Sequence, residues 1–231
     1  MTTRKVYRNS GFLRMCNALA AGLAIVLTLV LSTAAHAAVI EVDSLADPHE
    51  DGKCTLHDAI ISANTGTLPE DSNGQPGKCT AGQSPDTIQF SNVGGSITLA
   101  DTLPPITDSN LTIQGPGFLG TPIGIDGGDK VQVMKLTSSA TVTLSNVDIK
   151  GGRSAFLSGG GGGILNYGRL NVSNGTFYSN SAGTTVGAHG GGSIFNNAGE
   201  TLTVTNSTFI SNSATDTAAG GGIENRGDTE R

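Results

Sequence analysis

Apolar residues in the second half of the chain stand at alternate positions in very short runs. In "TLTVT", Leu202 and Val204 point one way and Thr201, Thr203 and Thr205 the other. This is the period of a strand with one buried face. Leu170 and Val172 repeat the pair, as do Val142 and Leu144, and Leu111 with Ile113 opens a further copy. Ile164, Ile194 and Ile223 recur at steps of 30 and 29, each followed two residues later by Asn166, Asn196 or Asn225. Asn174, Thr176 and Phe177 match Asn206, Thr208 and Phe209, and Asn146 and Ile149 take the same roles upstream. A period near 30 residues marks a repeat architecture.

Within one repeat the pattern predicts three short strands, about Ile164–Asn166, Leu170–Val172 and Thr176–Tyr178. Turn-forming residues separate them. The expected fold class is all-β: a right-handed parallel β-helix, one coil per repeat, with coils stacked about 4.8 Å apart. An antiparallel sandwich of hairpins is the alternative, but recurrence of like positions favours stacking, since like side chains then lie on like. Glycine and asparagine suit the corners, because both tolerate left-handed backbone. Asn166 over Asn196 over Asn225, and Asn174 over Asn206, are candidate amide ladders, with sugar binding as the other reading of these residues. Phe177 over Phe209 is a candidate internal aromatic stack.

The first 37 residues read as a signal peptide. Arg4, Lys5, Arg8 and Arg14 precede an apolar run that exits through Ala35-His36-Ala37, an A-x-A cleavage pattern. A membrane anchor is the alternative reading. Cleavage would leave nine basic residues against nineteen acidic ones, a net charge of about −10. Such a balance argues against nucleic acid as a partner. Cys54 and Cys79 would then be the two remaining cysteines, and in an exported chain the simplest pairing is a disulfide.

Between the leader and the repeats lies a predicted cap, residues 38–85. In "CTLHDAIISAN", Thr55 and Asp58 form a capping box, and Leu56, Ala59, Ile60 and Ala63 fall on one helical face. Asn64 and Gly66 supply the stop. A short amphipathic helix held by Cys54–Cys79 would lid the first coil, whose strand otherwise offers unpaired hydrogen bonds. A catalytic use of His57 and Asp58 is the sharper alternative. Residues 86–231 hold the repeats and end in "GGGIENRGDTER", which predicts an uncapped C-terminus and a truncated solenoid.

Two motifs carry resemblances. Gly162-Gly163-Ile164, Gly191-Gly192-Ser193-Ile194 and Gly221-Gly222-Ile223, with Phe177-x-x-Asn180 and Phe209-x-x-Asn212, resemble the repeats of bacterial polymorphic outer membrane proteins. In this comparison Ser193 reads as an insertion. Cys54 to Asn64 resembles the CSLREA motif of exported bacterial β-helix proteins, with Thr55, His57 and Asp58 as departures. These likenesses imply a pectin-lyase-like solenoid at the cell surface or secreted, acting as an adhesin on host-cell or extracellular glycan or protein. Association with the outer membrane would need a downstream segment.

Chemistry on the stack is sparse. Polysaccharide lyases use this architecture and want a basic proton abstractor beside acids. Asp126, Asp129 and Lys130 in "IDGGDK" are the candidate catalytic set, for a lyase or hydrolase acting on an acidic glycan. Two acids in a glycine turn are more simply a turn. No cofactor or metal site is expected. Thr112, Thr143 and Thr203 share one outward position, a row suited to ordering water, with Asn171 interrupting it. The residues favour a non-catalytic surface role.

Overall fold

The computed structural model describes residues 37–70, 74–117, 122–154, 160–183, 190–215 and 220–226. The signal-peptide segment, residues 1–36, lies outside them. The chain enters through β1 (Ala38–Val42), crosses helix α1 (Leu56–Thr65), and then winds. The first coils contain β2 (Asp86–Phe90), β3 (Gly95–Thr98), β4 (Leu111–Gln114), β5 (Ile123–Asp126) and β6 (Met134–Leu136). From there each coil has four strands. One coil runs β7 (Thr141–Ser145), β8 (Val147–Lys150), β9 (Arg153–Ser154) and β10 (Ile164–Asn166). The next runs β11 (Arg169–Ser173), β12 (Thr176–Tyr178), β13 (Ser181–Ala182) and β14 (Ile194–Asn196). The last described coil runs β15 (Thr201–Thr205), β16 (Thr208–Ile210), β17 (Ser213–Ala214) and β18 (Ile223–Asn225).

Strands of like position pair in parallel and build four sheets: β1-β2-β4-β7-β11-β15, β3-β5-β8-β12-β16, β9-β13-β17 and β6-β10-β14-β18. This is a parallel β-helix. The three strands expected per coil are joined by a fourth of two residues, Ser181–Ala182 and its equivalents. The turn-like "SNSAG" hides it, because two residues show no alternation.

Register superimposes the apolar positions. Ile40, Ile88, Ile113, Leu144 and Val172 form one inward column of the first sheet, all buried. Ile97, Ile125, Ile149 and Phe177 form that of the second. Met134, Ile164 and Ile194 form that of the fourth. Each fully buried side chain contributes about 1.5–3 kcal/mol. The Phe177 and Phe209 rings stack with centroids 4.7 Å apart and planes 5° from parallel. In the last described coil Leu202, Val204, Phe209 and Ile223 are only partly buried against this core.

The glycine motif has a steric cause. A Cβ on Gly161, Gly191 or Gly220 would collide with the carbonyl oxygen of Ile164, Ile194 or Ile223, three residues on. Ser193 is a replacement here and not an insertion. Ile164 pairs with Ile194 and Ile194 with Ile223, so Ser193 takes the place of Gly163 and Gly222. Corners after the first sheet use Asn146, Asn174 and Asn206 at φ 55, 54 and 50. These three ladder positions recur through backbone conformation. The Asn174 and Asn206 side chains themselves stand exposed.

The helix sits on β1 and β2, and its buried face of Leu56, Ala59, Ile60 and Ala63 joins the same core. Thr55 caps it, accepting the Asp58 N–H at 3.1 Å, and Gly66 ends it at φ 68. Asp58 does not reach back to the Thr55 backbone. Its Oδ2 takes the Thr55 hydroxyl at 2.9 Å and His49 Nδ1 at 2.9 Å. Asn64 does more than stop the helix. Its Oδ1 accepts the Thr107 and Asp108 N–H groups and its amide donates to the Pro105 carbonyl, tying the cap to the coils. Cys54 and Cys79 form the disulfide across 25 residues, worth about 3 kcal/mol on the chain-entropy model.

Two outcomes are expected. Phe177→Ala costs about 3–5 kcal/mol in denaturant unfolding, while Tyr178→Ala next to it, on the outer face, stays within about 0.5 kcal/mol. The hydrogen bond to Asp58, opposed in part by burial, holds the His49 pKa above its usual value. A raised folded pKa adds stability that is complete below the unfolded value of about 6.5 and is lost as pH rises through the folded one. Melting temperature therefore falls between mildly acidic and alkaline pH, and His49→Gln removes that step.

Candidate functional site

Turn lengths at one corner of the coil are unequal, and a groove results. The fourth sheet passes to the first through four residues, Thr137–Ala140, in one coil. The next coil needs only two, Tyr167 and Gly168, and the one after it again four, Asn197–Glu200. A short turn between two long ones leaves a notch. Thr137 and Ser138 form one wall, Asn197 and Glu200 the other, Tyr167 the floor, and Lys135 of β6 reaches in from the sheet. The open space measures about 480 Å³.

A buried asparagine ladder holds the second and third of these turns, while the first is closed by its own Ala140-to-Thr137 backbone bond. Asn166 donates to Asn196 Oδ1 at 2.5 Å and Asn196 to Asn225 Oδ1 at 2.8 Å. Asn166 also accepts the Gly168 N–H and donates to the Thr201 carbonyl, while Asn196 donates to the Glu200 carbonyl. Asn166 and Asn196 thus each fasten the turn that follows them. Thr137, Tyr167 and Asn197 each come one residue after a register position of this ladder, so they line up along the stack. The sugar-binding reading of Asn166 and Asn196 has no room, since both are buried and committed to backbone.

Lys135 Nζ lies 5.9 Å from the centre of the Tyr167 ring, within cation–π range. Glu200 faces them across the notch. One cation, one anion, an aromatic ring and the hydroxyl and amide groups of Thr137, Ser138 and Asn197 make a site that is polar and close to neutral. Such a surface can hydrogen-bond a hydroxyl-rich ligand while the ring supports an apolar face.

The catalytic candidates lie elsewhere. Asp126 ends β5 on the second sheet. Its Oδ1 accepts the Gly128 N–H at 2.8 Å and its Oδ2 lies 3.4 Å from Lys150 Nζ, one coil on. Asp129 sits at φ 58 and donates its N–H to Gly151, and Lys130 closes the turn by donating its N–H to Gly127. Asp129 and Lys130 are exposed. The ion pair of Asp126 is thus with Lys150, a residue outside the candidate set. Among the described residues no group of three or more His, Cys, Asp or Glu converges as a metal would require. His57 lies 3.8 Å from Asp47, while Asp58 serves His49 and Thr55. The threonine row keeps its register and gains Thr87 as a further member.

Sequence reasoning missed a second internal ladder. Asn180 and Asn212, the last residues of the two Phe-x-x-Asn motifs, point inward. Asn180 donates to Asn212 Oδ1 at 3.1 Å and to the Ile149 carbonyl, and accepts the Gly152 N–H. Asn212 donates to the Phe177 carbonyl. The motif carried the signal: an asparagine at fixed distance from a core phenylalanine recurs once per coil and so stacks on its own equivalent.

Among the described residues no helix is long and apolar enough to cross a membrane. Compared with known proteins, the chain matches no family model, no curated protein and no solved structure, so it is placed by its own geometry, as a parallel β-helix.

Proposed function

We propose that this chain is an exported, non-catalytic β-helix that binds an extracellular partner along its side, as a secreted or cell-surface adhesin does. The observation that carries this reading is the notch at Tyr167, a hydrogen-bonding groove whose floor and one wall are fixed by the buried asparagine ladder. Its mixed charge suits a neutral glycan better than an acidic one, which would meet Glu200. Export is supported by the basic and apolar leader, by the A-x-A exit, and by a disulfide of the kind that persists in oxidising compartments. The likeness to CSLREA-type proteins and to polymorphic outer membrane proteins points the same way. In support, the CSLREA-like segment forms the lid helix, the glycines that open the repeat motifs sit where a Cβ would collide with backbone, and the motif asparagines form internal ladders.

The experiment is binding of the exported protein to an array of neutral and acidic glycans and to intact cells. Tyr167→Ala and Glu200→Gln each weaken binding at least tenfold, about 1.4 kcal/mol, without lowering the melting temperature. Unchanged binding by both variants rejects the groove. Release of unsaturated sugars from an acidic polysaccharide, abolished by Lys130→Ala, would establish a lyase instead.

A further inference from the structure

Strand β1 begins at Ala38, one residue beyond the Ala35-His36-Ala37 exit. Register sets Ala38 beside Asp86, the first residue of β2. Asp86 is only 1 % exposed, and near it lies Asp108, 5 % exposed, from the turn before β4. Each carboxyl group uses one oxygen on a backbone N–H. Asp86 Oδ1 accepts from Gln83 at 2.7 Å and Asp108 Oδ1 from Asn110 at 3.0 Å. The second oxygen of each, Oδ2, is buried with no hydrogen-bond partner. The wall beside them is backbone: a Cβ on Gly82 would come within 2.6 Å of Asp86 Oδ2 and 2.7 Å of Ala63 Cα on α1.

Burial raises the Asp86 pKa and the neighbouring Asp108 adds to the rise, while the Gln83 and Ala38 N–H groups oppose it. A buried Asp86 carboxylate beside a second carboxyl group is costly to ionise without a counter-charge. Besides the Gln83 N–H, the backbone nitrogen that register brings to Asp86 is that of Ala38. In the uncut chain it is a neutral amide with a single hydrogen.

We infer that this joint is the seat of the chain's own new amino terminus: cleavage after Ala37 makes the Ala38 nitrogen an ammonium that pairs with Asp86 and Asp108. The inference rests on the export reading above. Hydrolysis of the Ala37–Ala38 bond by a signal peptidase consumes one water. The C–N bond breaks, Ala37 leaves as a carboxylate, and the Ala38 nitrogen takes up protons to become –NH3+. One donor and no charge are thereby replaced by three donors and a positive charge, beside two carboxyl groups that face each other and whose Oδ2 atoms receive no N–H. Maturation completes the join between β1, β2 and the turn that carries Asp108. The titratable groups at this joint are Asp86 and Asp108; α1 contributes uncharged groups, the buried Ser62 hydroxyl and the Asn64 amide that accepts the Asp108 N–H. The amine is held in its charged form, so its pKa rises above the ordinary terminal value of about 7.7–8.0. The stability it adds is complete below that value and is lost as pH climbs through the folded one.

The test compares the exported, cut protein with a full-length chain whose cleavage is blocked by Ala37→Leu, both with the disulfide formed. Sequencing of the cut protein finds Ala38 first; a different start overturns the inference alone, and a chain that keeps its leader overturns the export reading. Given that start, Asp108→Asn changes stability in opposite directions. It raises the melting temperature of the uncut chain by about 3–5 °C, by relieving an uncompensated charge, and lowers that of the cut chain by a similar amount. The same sign in both chains overturns the inference while leaving export intact. Should Asp108→Asn not fold, the Ala38 amine of the wild-type cut protein is titrated by its rate of acylation. An amine titrating within the ordinary range overturns the inference, and one titrating above it supports it.

Discussion

Everything in this molecule depends on parallel backbone pairing between coils at fixed register. Once Leu170 is bonded beside Leu202, the chain has no freedom to place Phe177 anywhere but under Phe209. Each coil must have the same inner circumference, and each must present the same kind of side chain at the same angle. Apolar columns, asparagine ladders and glycine corners are three consequences of this one condition. A polar group can be buried here because the next coil always offers an identical partner at strand spacing, which is how Asn166 and Asn196 are satisfied.

The asparagine ladder connects core to surface. Its amides are spent on the turns beyond them, so the outer face of those turns is rigid although it is made of loop. A preorganised loop binds at lower entropic cost than a flexible one. The two ends of the described stack are managed differently. At the first coil α1 and β1 cover the sheet, and the disulfide fixes the lid. At the last described coil the columns are only partly buried.

The repeat, the register and the lid helix were legible in the sequence, because like residues recur at near-constant steps and the helix carries both caps and an apolar stripe. The fourth strand was not, since Ser181–Ala182 is too short to display a period. The Asn174 and Asn206 pair was visible as a recurrence, but sequence alone does not tell a side chain repeated for its amide from one repeated for its φ. The groove escaped because it comes from a difference between coils and repeat reading looks for sameness. Asp86 and Asp108 escaped because they lie 22 residues apart in unlike surroundings, and only winding brings them together.

The uneven corner at Tyr167 has a wider meaning. Two residues can be gained or lost there while the strands on either side keep their partners. Length at that bend is therefore decoupled from folding, and a lineage can carve or fill a recess by small insertions without repacking a single core residue. The solenoid behaves as a rack on which recognition surfaces are exchanged at one edge, while the interior stays unaltered.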